Sequence, residues 1–301
     1  MAWIPAGTFR MGSDRYYPEE APARAVSVDG FWIDRHPITN AQFARFVEQT
    51  GYVTVAERPL DPAAFPGAPR ENLVPGSLVF TMTPGPVDLR HISQWWTWTP
   101  GACWRRPEGR GSSIEGRERH PVVHVAFEDA AAYADWAGKA LPTEAEWERA
   151  ARGGLDGATF CWGDEPEPAG ERLANYWHGE FPWRHDDGYG ATSPVGDYPP
   201  NGHGLHDMAG NVWEWTDDWY SSAATAGGCC PPSNPRGGAM EGSYDPSQPQ
   251  FRIPRKVLKG GSFLCADSYC LRYRPAARRP QMVDTGMSHV GLRCVVRPAA
   301  R

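Results

Sequence analysis

The chain has 301 residues and a formal net charge of −6, and it contains 33 Gly and 30 Pro. So much glycine and proline excludes long helices and wide regular sheets, and an acidic chain without a basic block is not typical of nucleic-acid-binding proteins. No apolar run approaches the roughly 20 residues of a membrane-spanning helix, and the first residues lack the charged and apolar regions of a signal peptide. We therefore expect a cytoplasmic protein that binds neither nucleic acid nor a membrane.

Aromatic residues are abundant enough to hold a loop-rich chain together. The sequence has 14 Trp, 11 Tyr and 11 Phe, which offer large rigid surfaces against which irregular segments pack. No internal repeat and no linker-like stretch divides the chain. These features predict one domain spanning 1–301, of the α+β class, with loops between short elements.

The first elements are short strands followed by a helix. Apolar and polar residues alternate between glycines over 3–36, which predicts short strands and turns. Thr39 and Gln42 have the spacing of a capping box, and apolar residues then recur at helical spacing until Gly51. We expect the first helix to begin after Thr39 and to end at Gly51.

The middle of the chain predicts loops, one strand and two helices. Residues 57–118 show no sustained periodicity and are expected to be irregular with short strands, and the tryptophans of 94–98 either pack in the core, which we favour, or line a groove. A short strand is predicted over 120–125 and a helix over 128–137. A third helix is expected to begin with a capping box at Thr143. Its three glutamates are predicted to cap the helix or to form a solvated face; they are Glu144, Glu146 and Glu148.

Two later loops are rich in oxygen donors. Residues 175–189 and 207–215 combine amide and carboxylate side chains with turn residues, as calcium sites do. Capped turns explain the same pattern more often. A further segment, 221–256, is predicted to be a surface loop in which Cys229 and Cys230 are thiols without a role.

Residues 258–278 carry the least ordinary pattern of the chain. Cys265 and Cys270 lie five positions apart, after the glycine pair 260–261 and before three arginines. Two thiols at this spacing are compatible with a disulfide, a soft metal site, a redox pair or simple packing. A structural zinc site would need two more ligands besides these cysteines, whereas Cu(I) accepts two thiolate ligands, so the pair suits Cu(I) better than zinc.

The wider sequence resembles the formylglycine-generating enzymes, also called sulfatase-modifying factors. The resemblance rests on the run Lys-Gly-Gly-Ser-Phe-Leu-Cys at 259–265, on Ser-Tyr-Cys-x-Arg-Tyr-Arg at 268–274, and on Val-Gly-Leu-Arg-Cys at 290–294. It extends to Leu-Pro-Thr-Glu-Ala-Glu-Trp-Glu at 141–148. The resemblance implies a variant of the C-type-lectin fold, and a copper-dependent oxidation by dioxygen. The implied substrate is the cysteine of a Cys-x-Pro-x-Arg motif in an unfolded sulfatase, which becomes Cα-formylglycine.

The same resemblance implies a set of site residues. Copper ligands are Cys265 and Cys270, and the pocket around them is lined by Ser262, Tyr269 and Trp213. One structural calcium is assigned to Asn175, Tyr176, Asp187 and Tyr189, with Asp186 as the alternative carboxylate. A second calcium is assigned to Asp207, Gly210, Val212 and Glu214. Two positions depart from some relatives: His289 stands where they carry an asparagine, and Ala266 stands where others carry a histidine.

Several neighbouring residues are predicted to serve the fold. Arg272, Arg274 and Arg278 are expected to form ion pairs, since arginine binds carboxylates in a bidentate manner. Cys161 and Cys294 are expected in the core.

Two rival functions remain open at this stage. One is a non-haem iron sulfoxide synthase of the same superfamily, which needs a histidine-rich triad. The other is a non-catalytic binding module on the same fold, which has no need of both cysteines.

Overall fold

The computed structural model describes residues 1–64, 67–186, 188–222 and 230–298. Within these ranges turns and loops connect short elements. The helices are α1 (Asn40–Thr50), α2 (Phe127–Trp136) and α3 (Glu144–Ala151). The strands are β1 (Ala2–Ile4), β2 (Gly7–Met11), β3 (Arg24–Val28), β4 (Phe31–Ile33), β5 (Gly76–Phe80), β6 (Trp96–Pro100), β7 (Trp213–Trp219), β8 (Arg255–Lys259), β9 (Arg278–Met282), β10 (Val290–Gly291) and β11 (Val295–Val296). The predicted loop-rich α+β class is confirmed.

A four-stranded sheet in the order β10-β7-β8-β9 organises the second half of the chain. Strand β8 is antiparallel to both of its neighbours, whereas β10 runs parallel to β7. Two adjacent rows of paired residues cross β7, β8 and β9. The charged row is Glu214, Lys259 and Arg278. The next row is Trp215, Leu258 and Arg279. Because paired residues share a face and successive residues alternate, the two rows face opposite sides of the sheet.

Ion pairs compensate the charged row. The Lys259 Nζ atom lies 3.0 Å from a carboxylate oxygen of Glu148 on α3, and their side chains are 0% and 1% exposed. Glu214 receives two hydrogen bonds from Arg293, at 2.6 and 2.7 Å, and both residues are buried. The prediction of a solvated face is therefore wrong for Glu148. The sequence of α3 alone did not reveal that the central sheet would cover this side of the helix.

The smaller sheets join distant parts of the chain. Strand β4 lies between β1 and β11, so both ends of the described chain meet in one sheet. Strands β2 and β3 form a hairpin, as do β5 and β6. Short strands were predicted over 3–36 and within 57–118, and both predictions are confirmed. The strand predicted over 120–125 is wrong: Pro121 makes only an isolated bridge, and His124 has a φ of 61°, which interrupts an extended chain.

The helices begin and end at the predicted signals. The Thr39 side chain accepts from the backbone N–H of Gln42, and Gly51 closes α1 with a φ of 68°. Thr143 caps α3 in the same way through Glu146, which confirms the cap prediction for that glutamate. Among the described residues no helix is long and apolar enough to cross a membrane; the cytoplasmic location stays a prediction.

The core consists of a main cluster and a smaller one beside the cysteine segment. The smaller one, called the aromatic cluster below, contains Trp95, Trp177, Phe181, Phe263, Leu264 and Ala266. Trp95 is 1% exposed, so the core interpretation of 94–98 is confirmed at that position. Trp96 is only half-buried and packs against both clusters.

Candidate active site

Two glycines set the entry to the loop between β8 and β9. Gly260 and Gly261 have φ angles of 98° and 74°, which L side chains rarely adopt. A Cβ atom on Gly261 would lie 2.8 Å from the Cα atom of Tyr273, and real Cβ atoms do not approach backbone so closely. The chain thus passes directly against the Tyr273 backbone before it enters the loop.

Local turns then bring the two predicted cysteines together. The backbone N–H of Cys265 donates to the Ser262 carbonyl at 2.9 Å, and that of Cys270 donates to the Ala266 carbonyl at 2.7 Å. As a result the two Sγ atoms lie 3.5 Å apart. Both residues are free thiols, so the loop presents a close pair of sulfur atoms.

The two thiols differ in burial and in electrostatic surroundings. Cys265 is 1% exposed, whereas Cys270 is partly exposed. Burial raises the pKa of the Cys265 thiol. The hydrogen bond from Cys265, together with the charges of Arg272 and Arg279, holds the pKa of Cys270 below its usual range. The pair therefore favours a thiolate at Cys270, the less buried of the two residues.

Aromatic rings of the aromatic cluster pack against the cysteine loop. The Tyr269 ring stacks on Phe181, with centroids 4.5 Å apart and planes at 4°, and meets the edge of Trp95 at 5.7 Å. The backbone N–H of Trp177 donates to the Cys265 carbonyl at 2.8 Å. These contacts hold the middle of the loop against the aromatic cluster, with the predicted Tyr269 next to Cys270 in the chain.

Ser262 and Trp213 occupy different positions relative to the sulfurs. The Ser262 backbone N–H donates to Cys265 Sγ at 3.4 Å, and its hydroxyl oxygen accepts from the Leu264 N–H at 3.3 Å. Trp213 lies in the main core, which also contains Cys265, and its N–H donates to the His289 carbonyl at 2.8 Å. Their participation in a reaction stays a prediction.

His289 and Ala266 are buried beside the aromatic residues. The His289 ring is 4.7 Å from the Trp96 ring, and among the described residues its buried Nδ1 atom has no hydrogen-bond partner. Burial holds the pKa of His289 well below its usual range, so the ring is neutral. Ala266 is 1% exposed and belongs to the aromatic cluster.

The three predicted arginine ion pairs are present. Arg272 contacts Glu19 at 2.6 Å, and Arg278 binds both carboxylate oxygens of Glu144, at 2.7 and 2.8 Å. Arg274 binds Glu20 through two hydrogen bonds, at 2.5 and 2.9 Å, between fully buried side chains. The ion-pair prediction is therefore confirmed, and Arg272 additionally lies 3.9 Å from Cys270 Sγ.

Sequence reasoning missed the N-terminal residues that border the site. The Tyr17 hydroxyl accepts from the Leu271 N–H at 3.1 Å, and the Arg272 guanidinium stacks over the Tyr17 ring at 3.7 Å. Within the loop, Tyr273 donates a short hydrogen bond to Asp267. Tyr17 and Leu271 are more than 250 positions apart. No local pattern connects such residues, so a single sequence does not predict their contact.

Comparison with known proteins identifies the family. The sequence model described as the sulfatase-modifying factor enzyme 1-like domain matches residues 1–298. The chain belongs to this family. The formylglycine-generating enzyme of Mycobacterium tuberculosis is 55% identical over 305 residues, which cover 99% of this chain and 97% of that protein. The corresponding enzyme of Thermomonospora curvata is 48% identical, over 99% of this chain and 93% of that protein.

A solved structure supports the fold on independent grounds. PvdO from Pseudomonas aeruginosa superposes with a TM-score of 0.64 at 22% identity, over 97% of this chain and 92% of that structure. At this level of identity the likeness concerns the fold alone. The sulfatase-modifying factor fold is therefore shown by both sequence and structure.

The first calcium group that the family resemblance implies is only partly described. Asp187 lies outside the described residues. The amide of Asn175 donates to the Ala191 carbonyl at 2.9 Å, and Tyr176 is buried while Tyr189 is 46% exposed. The alternative carboxylate, Asp186, accepts from Arg184 at 2.9 Å. The group stays a prediction.

The second calcium group lies against the central sheet. Asp207 is buried, which raises the pKa of its carboxyl, and one oxygen accepts from the Gly196 N–H at 2.9 Å. Gly210 and Val212 precede β7 at the same place. Glu214, however, already gives both oxygens to Arg293. A cation would have to share Glu214 with that guanidinium, so these residues fit calcium less well than the sulfur pair fits a soft ion.

Proposed function

We propose that this protein is a formylglycine-generating enzyme that uses copper and dioxygen to oxidise the cysteine of a Cys-x-Pro-x-Arg motif in a sulfatase polypeptide. The observation that carries the proposal is the pair of free sulfur atoms 3.5 Å apart. Full-length relatives at 55% and 48% identity are named formylglycine-generating enzymes. Together they favour this activity over other functions on the same fold.

The sulfur pair fits a copper ion through the chemistry of its donors. Thiolates are soft ligands that select Cu(I) over harder ions, and Cys270 is the member of the pair that favours the thiolate form. Cys265 and Cys270 would hold the ion, with Cys265 buried and Cys270 only partly buried. When bound, copper supplies the electron-transfer and oxygen chemistry that amino-acid side chains lack.

The residues around the pair offer a surface for a polypeptide. Phe80, Trp96 and Tyr269 are only partly buried where they pack on the aromatic cluster. Met82, two residues after Phe80, and Ile92, four residues before Trp96, are 52% and 55% exposed. Exposed apolar side chains of this kind suit an unfolded chain, which offers apolar side chains of its own. Because Cys270 is the less buried of the two cysteines, a substrate thiol would approach the pair from its side.

The rival functions receive less support from the site. A non-haem iron synthase uses a group of several His and carboxylate ligands. Among the described residues no group of three or more His, Cys, Asp or Glu side chains is placed to hold a metal ion. A non-catalytic binding module gives no reason for two free thiols in contact. The copper enzyme remains the function that explains both the loop and its surroundings.

The direct test is turnover of a short peptide. We expect the protein, supplied with copper, air and a thiol reductant that provides two of the four electrons that dioxygen takes up, to convert the cysteine of Leu-Cys-Thr-Pro-Ser-Arg to an aldehyde with release of the sulfur as sulfide, seen as a mass change and by capture with a hydrazine. Cys265→Ser and Cys270→Ser should show no conversion. Cys161→Ser, which changes another buried thiol, should retain it. An unmodified peptide with copper-loaded wild type, or equal turnover by Cys265→Ser, would refute the proposal.

Structural calcium is a second part of the proposal. Bound to Asp207 and neighbouring carbonyls, it would stabilise loops that have little regular structure. Removal of calcium by a chelator should then lower the melting temperature by several degrees, in proportion to the ligand-linked free energy. Addition of calcium, but not of magnesium, should restore it. An identical melting temperature with and without chelator would contradict the proposed ion.

A further inference from the structure

Arg272 uses its guanidinium differently from the two arginines that follow it in the chain. Arg278 binds both oxygens of Glu144, at 2.7 and 2.8 Å, and its third nitrogen donates to the Ser221 carbonyl at 2.8 Å. Arg274 likewise places all three of its guanidinium nitrogens on oxygen acceptors. The donors of these two side chains are therefore fully used by the fold.

Arg272 has donors that the fold does not use. Its Nη2 atom lies 2.6 Å from a single oxygen of Glu19, and its buried Nε atom has no hydrogen-bond partner among the described residues. The remaining nitrogen, Nη1, lies 3.9 Å from Cys270 Sγ. A buried N–H group without an acceptor is costly. An arginine that served the fold alone is expected to satisfy Nε, as Arg274 does.

Residues near the N-terminus hold Arg272 in this orientation. Its guanidinium carbon lies 3.7 Å from the centre of the Tyr17 ring, a favourable cation–π contact. The Tyr17 hydroxyl accepts from the Leu271 N–H at 3.1 Å, so the ring is itself attached to the segment that carries the arginine. Together with the ion pair to Glu19, these contacts keep Nη1 beside Cys270 in the absence of a metal.

The charge of a loaded sulfur pair gives this contact a purpose. Two thiolates and one Cu(I) carry a net charge of minus one, and a substrate thiolate would add a second negative charge. The side chains of Arg272 and Glu19 are 24% and 20% exposed, so solvent screens the guanidinium only in part. Glu19 offsets some of the positive charge, and the rest acts on the sulfur that Nη1 contacts.

We propose that Arg272 is a positioning residue of the metal site, which Tyr17 and Glu19 hold against Cys270 so that its charge stabilises the anionic, copper-loaded sulfur pair. The inference deepens the proposed function and rests on it. It explains the unsatisfied Nε atom, because the guanidinium is turned toward the sulfur instead of toward a further oxygen acceptor. Arg272 acts through Cys270 and is not itself a metal ligand.

The test measures Cu(I) affinity without oxygen, by competition with a chromophoric Cu(I) chelator. Arg272→Gln removes the positive charge and should bind Cu(I) about ten-fold more weakly than wild type. Glu19→Gln keeps an oxygen acceptor for Arg272 but removes the negative charge that offsets the guanidinium. It should bind Cu(I) about three-fold more tightly. The two variants therefore change the affinity in opposite directions, whereas an ion pair that served the fold alone would give no such difference in sign.

Arg278→Gln is the matched control, because it breaks a comparable ion pair that has no contact with a sulfur. It should lower the melting temperature of the metal-free protein, yet the folded variant should bind Cu(I) like wild type. Should Arg272→Gln fail to fold, Arg272→Met retains the apolar stem and is held to the same prediction.

Three results would overturn the inference while leaving the proposed function in place. They are unchanged Cu(I) affinity in Arg272→Gln, binding by Glu19→Gln that is no tighter than in wild type, and an equal loss of affinity in Arg278→Gln. Absence of Cu(I) binding by wild type would instead refute the proposed function on which the inference rests.

Discussion

The ion-pair network on the central sheet and the surroundings of the cysteine pair differ in how their buried polar groups are paired. In the network Glu214, Lys259 and their partners are buried and paired, with contacts between 2.6 and 3.0 Å. Near the aromatic cluster the Nδ1 atom of His289 has no hydrogen-bond partner among the described residues, and Cys265 and Cys270 are free thiols. Most buried polar groups in proteins have a partner. The ion-pair network therefore stabilises the fold, whereas the cysteine pair and His289 keep polar atoms that the fold does not use.

The largest effect is expected where a fully buried pair is broken. Arg274→Met should lower the free energy of unfolding by about 3–5 kcal/mol, because Glu20 is left charged and without its partner. The side chains of this pair are 1% and 0% exposed. Denaturant unfolding measures the loss, and the double variant Glu20→Leu with Arg274→Met should recover most of it. If the single variant were as stable as wild type, the paired groups would not be what maintains the fold.

A buried histidine with partners gives the next largest effect, through pH. His124 is fully buried with Nε2 2.8 Å from the Pro107 carbonyl, and burial lowers its pKa to about 4. Because the folded pKa is below that of the unfolded chain, the folded state binds fewer protons and stability falls as pH drops from about 6.5 to 4. The loss attributable to His124 should be roughly 3 kcal/mol.

Unfolding experiments at pH 7 and pH 4.5 measure this dependence. The control is His124→Asn, since asparagine tolerates the positive φ of 61° at this position and does not titrate. The variant should be less stable at pH 7 but should lose less stability on acidification than wild type. Equal acid sensitivity in both proteins would show that His124 is not the group responsible.

A glycine at the entry to the site should cost less, and it has a matched control. Gly261→Ala should destabilise the protein by about 2 kcal/mol and weaken Cu(I) binding, because a Cβ there meets the Tyr273 backbone at 2.8 Å. Gly51→Ala has a similar φ of 68° but open space around it, so about 1 kcal/mol is expected. Equal losses of stability in both variants, with Cu(I) affinity retained in Gly261→Ala, would argue against a tightly fixed loop.

The smallest effect is expected from an exposed ion pair. Arg184 and Glu180 are 2.8 Å apart, with side chains 50% and 53% exposed. Arg184→Gln should change the free energy of unfolding by less than about 0.5 kcal/mol, since solvent and salt screen such pairs. A decrease of several kcal/mol in the free energy of unfolding would mean that exposed ion pairs stabilise this protein as much as buried ones do.

Local patterns predicted the parts of the structure that depend on local interactions. The sequence predicted the capping boxes at Thr39 and Thr143, because each box depends on two residues three positions apart. It predicted the end of α1 at Gly51, because that end depends on one backbone angle that glycine adopts readily. The cysteine pair was readable for the same reason, since turns within a dozen residues assemble it.

Long-range packing accounts for what the sequence did not reveal. Glu148 was expected to cap the helix or to form part of a solvated face, yet it is buried and accepts a hydrogen bond from Lys259, 111 positions later in the chain. His124 was placed in a strand because the valines around it favour extended structure. Nothing in the local sequence indicates its positive φ of 61°. The pairing of Arg279 with Leu258 depends on sheet register, which can be predicted only once the partner strands are known.

Stoichiometric Cu(I) binding tests the central claim most directly. Titrated anaerobically in the presence of a competing chelator, wild type should bind one Cu(I) per chain, and Cys265→Ser and Cys270→Ser should each bind none at the same chelator concentration. Cys161→Ser should bind like wild type. Full binding by either loop variant would contradict the assignment of the sulfur pair as the metal site.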